Sequence, residues 1–87
     1  MTETIKLTYP IKIDGTETHE LSMRVPLLND LLAVKKNDNK SELEIEMLLI
    51  SNLCKVAPDS IRAMPFRDYR KLEKALAKLM DDENPLD

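Results

Sequence analysis

Ile5, Leu7, Tyr9, Ile11 and Ile13 take every second position of one stretch, with Lys6, Thr8, Pro10 and Lys12 between them. A period of two belongs to a half-buried strand, which needs both a neighbour and a cover. Asp14-Gly15 then marks a turn, and Leu21, Met23 and Val25 repeat the alternation, so residues 4–25 read as a hairpin. A two-residue Asp-Gly turn would pair odd positions with even ones and set the two apolar rows on opposite faces. A three-residue loop, Ile13-Asp14-Gly15, restores parity: Leu7 then pairs with Leu21 and Ile5 with Met23, and Gly15 is the left-handed residue of a bulge. Pro10 has no N–H to donate, which leaves a free edge at its position. A lone hairpin is marginal in water, so the rest of the chain must pack on it.

That remainder reads as helical. Pro26 suits the first turn of a helix over about 26–36, which carries Leu27, Leu28, Leu31, Leu32 and Val34 before the polar run at 35–40. Ser41 with Glu44 three residues on fits a capping box and opens a helix over 41–56. Its apolar residues make two faces. Leu43, Met47, Ile50 and Cys54 lie on one, and Ile45, Leu49, Leu53 and Val56 on another about 140° away, at about 100° per residue. A helix apolar on most sides is either central to a core or shared with a partner. Both readings stay open here, and Ile45, Leu49 and Leu53 are the face a partner would take.

Pro58 begins a short turn or one-turn helix over 59–63, and Pro65 closes it and opens a last helix over 66–81. Phe66, Tyr69, Leu72, Leu76, Leu79 and Met80 fall on one side of that helix. Residues 82–87 are polar and acidic and are expected to fray. The fold class is therefore α+β, a single domain over 1–87 with an N-terminal β-hairpin packed on three to four short α-helices.

A chain of 87 residues buries only about 60–65% of its unfolded surface, and with 3% aromatic residues and no Trp its core must be aliphatic. Small aliphatic cores are often completed by a partner or a second copy. The net charge of −3 disfavours a generalist nucleic-acid binder, whose affinity comes from neutralising phosphates. No segment reverses that: residues 1–40 carry six basic and six acidic groups, 41–64 two and four, 65–87 five and six. A single cysteine, Cys54, forms no internal disulfide. The N-terminus lacks the apolar run of a secretion signal and no stretch is long enough to span a bilayer, so the cytoplasm is the expected location.

Catalytic and metal chemistry find no foothold. His19 and Cys54, each the sole residue of its type, are far apart in sequence, which argues against a zinc site or a Cys-His nucleophile. Cys54 reads as a small buried hydrophobe. Glu42, Glu44 and Glu46 alternate on a helix and point away from their nearest neighbours, so helix-end electrostatics explains them better than acid-base catalysis, and Asp68 has the same reading. The single glycine excludes a phosphate-cradling loop. No enzyme, cofactor or metal is expected.

The last helix carries one more feature. Arg67, Lys71, Lys74 and Lys78, with Arg70 beside them, form a basic stripe opposite its apolar face. Ordinary solubility and the helix dipole account for such a stripe. Its like charges at 67/71, 70/74 and 74/78 repel by roughly a few tenths of a kcal/mol each, a cost that an acidic partner would remove. The expectation is that the stripe faces solvent and meets an acidic protein surface, since no aromatic sits among the basic residues to stack on bases.

The order of these motifs resembles the small tail assembly chaperone family of Mu-like contractile-tailed phages. The resemblance runs over about residues 4–80, from "IKLTYPIKIDGTETHELSMRVPLLNDLLA" through "ELEIEMLLISNLCKVAPDSIRAMPFRDYRKLEKAL". Its elements are the hairpin with an apolar-Asp-Gly turn, the Leu-Ser-Met-Arg-Val-Pro run, the Leu-Cys-Lys-Val-Ala-Pro stretch and Arg67-Asp68-Tyr69 opening the last helix. It implies a cytoplasmic, non-enzymatic protein that binds the long helical tape measure protein, helps the tail tube polymerise, and is absent from the finished particle. The tail tube protein and a second copy of the chain are further partners consistent with it. Two other readings compete: a small nucleic-acid-associated regulator using the basic face of helix 66–80, and a structural tail subunit.

Overall fold

A computed structural model describes residues 1–36 and 39–81. Two strands, β1 (Thr2–Ile13) and β2 (Thr16–Arg24), form an antiparallel hairpin. Four helices follow: α1 (Leu28–Val34), α2 (Glu42–Cys54), α3 (Pro58–Arg62) and α4 (Phe66–Leu79). The expected fold class is the observed one. The end at 82–87 lies outside the described residues, as does part of the polar run at 35–40.

The hairpin reaches its register by a different route from the one expected. Asp14 and Gly15 are the two central residues of the turn, with φ of 52° and 79°. Positive φ at both is the type I′ geometry that matches strand twist, and it is why glycine suits position 15. The turn pairs Ile13 with Thr16 and Ile11 with Thr18, odd with even. Parity is restored further along, where Leu7, Thr8, Tyr9 and Pro10 stand opposite His19 alone in a wide bulge. Beyond it Ile5 pairs with Leu21 and Glu3 with Met23, not Ile5 with Met23 or Leu7 with Leu21. Pro10 sits inside the bulge, where its missing N–H costs no ladder bond. Tyr9 is consequently exposed, while Ile5, Leu7, Ile11, Leu21 and Met23 are buried on one face.

Two helices cover that face, α2 against β2 and α4 against β1, while α1 and α3 pack on α2. The core is aliphatic, as the composition requires, with Met23, Ile50, Leu53 and Leu72 its most enclosed large side chains. Ser41 caps α2 by accepting the N–H of Glu44 at 3.1 Å. The helix ends at Lys55, which adopts the left-handed conformation (φ 58°) usual for a helix stop, and the Val56 N–H returns to the Ser51 carbonyl at 3.0 Å. Both apolar faces of α2 are covered within the monomer except at its start, where Leu43 is exposed and Ile45 half-buried. Leu49 and Leu53 belong to the core, so the central-core reading of this helix is the one the structure adopts, and these two side chains are not on offer to a partner.

Helix α1 starts two residues later than Pro26 suggests. Asp30 accepts the Leu27 N–H at 2.7 Å and takes both Arg24 guanidinium nitrogens at 2.8 Å. That bidentate pair ties the end of β2 to the first turn of α1 and fixes Leu27, not Pro26, as the flanking residue. The Arg24 hydrogen bond and then the Leu27 N–H hold the Asp30 carboxyl down at about 2.

Candidate partner-binding surface

Chemistry at the sole cysteine is quenched by its place in the core. Cys54 is buried against the hairpin, and burial pushes its thiol up to about 11, so it is neutral and unreactive near neutral pH. His19 is exposed on β2. Among the described residues no group of three His, Cys, Asp or Glu side chains could hold a metal ion. No helix of the described residues is long and apolar enough to cross a membrane.

The basic stripe on α4 does not stand free along its length. Asp68, in the first turn of α4, is 0% exposed and receives the Thr8 N–H at 3.0 and 3.1 Å and the Tyr9 N–H at 3.1 Å. These are the amides that the β1 bulge frees from the ladder. Burial raises the Asp68 carboxyl, but the N–H groups of Thr8 and Tyr9, with further hydrogen bonds from Thr8 and Lys71, outweigh it and hold the group below the ordinary carboxylate range. The Lys71 ammonium lies 3.3 Å from Asp68 and donates to the Lys6 carbonyl (3.1 Å) and the Thr8 hydroxyl (2.9 Å). Lys78 reaches Glu3 at 3.5 Å. Arg67 and Lys74 are exposed. All four stripe residues face solvent, as expected, and two of them, Lys71 and Lys78, also reach across to β1.

Apolar exposure is concentrated on the helices. Leu28 (72% exposed) and Leu32 (59%) lie four apart on one side of α1, and Leu43 (56%), Phe66 (61%) and Met80 are exposed on α2 and at the two ends of α4. The helical period alone places Phe66 and Met80 on the buried side of α4. The helix instead turns Asp68, Leu72 and Ala75 inward, so both residues fall at the edge of its buried face. The Phe66 ring stacks on Tyr69 with centroids 6.2 Å apart. It shares with Leu43 and Met64 a small hollow of about 180 Å³.

Leu43 also lines the larger groove between α2 and α4, about 490 Å³, which Leu31 of α1 closes at one side. Ile45, Leu76 and Met80 give it apolar walls, and Glu46 and Glu73 stand within it. The Tyr69 hydroxyl donates to Glu46 at 2.7 Å, bridging the two helices beneath the groove. The neighbouring Glu46 carboxyl and then burial hold Glu73 above the ordinary carboxylate range, against an opposite pull from Arg70. The sequence alone assigns Glu46 to helix-end electrostatics and gives Glu73 no role. Neither carries a local signal, since their meeting depends on how α2 and α4 pack.

Exposed apolar side chains flanking a groove are the features of a protein-interaction surface. A family model described as phage tail assembly chaperone proteins, E, or 41 or 14, matches residues 4–81. The chain belongs to this family of phage tail assembly chaperones. No curated protein and no solved structure gives a significant match.

Proposed function

We propose that this chaperone is non-enzymatic, works in the cytoplasm of the host cell, and binds a helical segment of the tape measure protein while the tail tube assembles around it. The observation that carries this reading is the run of exposed Leu28, Leu32, Leu43, Phe66 and Met80 on three helices of one small domain. Such surface is costly to leave in water and is suited to covering an amphipathic helix that would otherwise aggregate. The tail tube protein and a second copy of the chain are secondary partners under this reading, and the finished particle would lack the protein.

Co-expression tests it. The chain should raise the soluble yield of the tape measure protein and co-elute with it on gel filtration. Leu28→Ser with Leu32→Ser, at exposed positions, should leave the fold intact and reduce that yield. Unchanged yield with the wild-type chain, and no complex, would remove the proposal.

A further inference from the structure

We propose that the groove between α2 and α4 seats a two-turn stretch of amphipathic helix and selects one that carries a single Lys or Arg on its apolar side, set against Glu46 and Glu73. The inference rests on the helix-binding reading above and adds to it where the helix sits and which residue it must bring.

The groove has the length and lining for such a segment. Its α2 wall runs from Glu42 to Leu49 and its α4 wall from Glu73 to Met80. Each wall rises about 10–11 Å at 1.5 Å per residue, which accommodates two helical turns. Leu31, Ile45 and Met80 offer apolar contact, and a helix laid between two helices meets such side chains with residues three or four apart.

Charge decides the rest. Glu46 and Glu73 both line the groove among its apolar residues, each half-buried. Two carboxylates that line the same groove repel each other when both are charged. Among the described residues neither forms an ion pair: the basic side chains engage Asp30, Asp59, Glu44, Asp68 and Glu3 instead. Tyr69 supplies one donor to Glu46 and Arg70 only a weak, exposed influence on Glu73. A cation brought in on a docked helix would satisfy both carboxylates at once, in a site its own apolar flanks shield from solvent. A helix with Gln at that position would gain the apolar contacts without the charge, and one with Glu there would be repelled.

The test uses two fluorescent helical peptides of about 18 residues, long enough to hold some helix in water. They are identical except that the central residue of a leucine face is Lys in one and Gln in the other. Against the wild-type chain at neutral pH and moderate salt, the Lys peptide should bind about tenfold more tightly, the ratio expected for one partly shielded charge contact. The Glu46→Gln, Glu73→Gln double variant should retain its circular dichroism spectrum, because the amide oxygen introduced at position 46 can still accept from Tyr69. It should bind both peptides equally, at the affinity the wild type shows for the Gln peptide. Equal binding of the two peptides to the wild type overturns the proposal. So does failure of both to bind, and if the chain still solubilises the tape measure protein, the chaperone reading survives while the groove loses its role. Discrimination between the peptides without any effect on the tape measure protein would keep the groove and reject that partner. A dimer of the chain that the double variant dissociates, with no peptide bound, would give the groove to a second copy and also overturn the proposal.

Discussion

Asp68 receives the backbone N–H of Thr8 through both of its carboxylate oxygens, at 3.0 and 3.1 Å, although the two residues lie 60 apart in the chain. The aspartate is buried, and it answers a need created by the bulge, in which Thr8 and Tyr9 have amides facing no strand. One side chain of the last helix thus completes the first strand.

Removing that acceptor should be costly. Asp68→Ala leaves two amides without a partner, and at about 1–3 kcal/mol per unsatisfied buried group the variant should lose a large part of the domain's stability. Asp68→Asn keeps one acceptor oxygen and should fall between Ala and the wild type in urea unfolding at neutral pH. Equal stability of all three proteins would mean that water serves these amides as well as Asp68 does.

Lys71 and Lys74 should separate under charge reversal. Lys71→Glu places a carboxylate beside buried Asp68 and withdraws the donor to Lys6 and Thr8, so a loss of roughly 1–2 kcal/mol is expected, discounted for the lysine's exposure. Lys74→Glu, at an exposed site, should stay within about 0.5 kcal/mol of the wild type. The measurement is denaturant unfolding of each single variant, and matching losses would place both residues in the same structural role.

The Asp30 carboxyl, held at about 2, lies below the value of about 3.9 that it has in an unfolded chain. A depressed acid contributes stability above its unfolded value and loses it as pH falls through its folded one. The stability difference between wild type and Asp30→Asn should therefore be full at about pH 5 and shrink steadily between about pH 4 and about pH 2. A difference that stays constant across that window would show that neither Arg24 nor the Leu27 N–H favours the charged form of Asp30.

Glu73 has the opposite sign. Its folded value is raised, so the fold prefers the neutral acid, and stability falls as pH rises above the unfolded value of about 4.3 toward the folded one. Glu73→Gln removes that penalty and can donate to Glu46. Its thermal midpoint should exceed the wild type's by about 2–4 °C near neutral pH, the shift that roughly 0.5 kcal/mol produces in a domain of this size, and match it near about pH 4. A lower midpoint at neutral pH would count against a repelling pair.

Local patterns in the sequence are enough for the hairpin, the cap at Ser41, the two prolines that frame α3 and the aliphatic core. They fail where the deciding partner is remote. Counting parity at the turn leads to a three-residue loop, because Asp68, which makes a bulge at Thr8 and Tyr9 tolerable, is invisible to a strand-length window. Phe66 and Met80 satisfy the helical period and still lie outside, since the buried face of α4 is centred on Leu72 and takes in Asp68. Leu49 and Leu53 have two admissible environments, and tertiary packing chooses the interior. The groove acids have no signature at all: Glu46 and Glu73 become a pair only once Tyr69 has joined α2 to α4.

The bulge also bears on the order in which the molecule can be made. During synthesis β1 leaves the ribosome first, yet its Thr8 and Tyr9 amides have no protein acceptor until α4 has been added. The hairpin is born incomplete and is sealed only by the later helix that carries Asp68. Closing so long a loop ties early and late segments into one cooperative step and slows folding relative to a domain of purely local contacts. A nascent chain halted before α4 would expose the apolar face of its hairpin, so an assembly chaperone would, for that interval, itself need shielding.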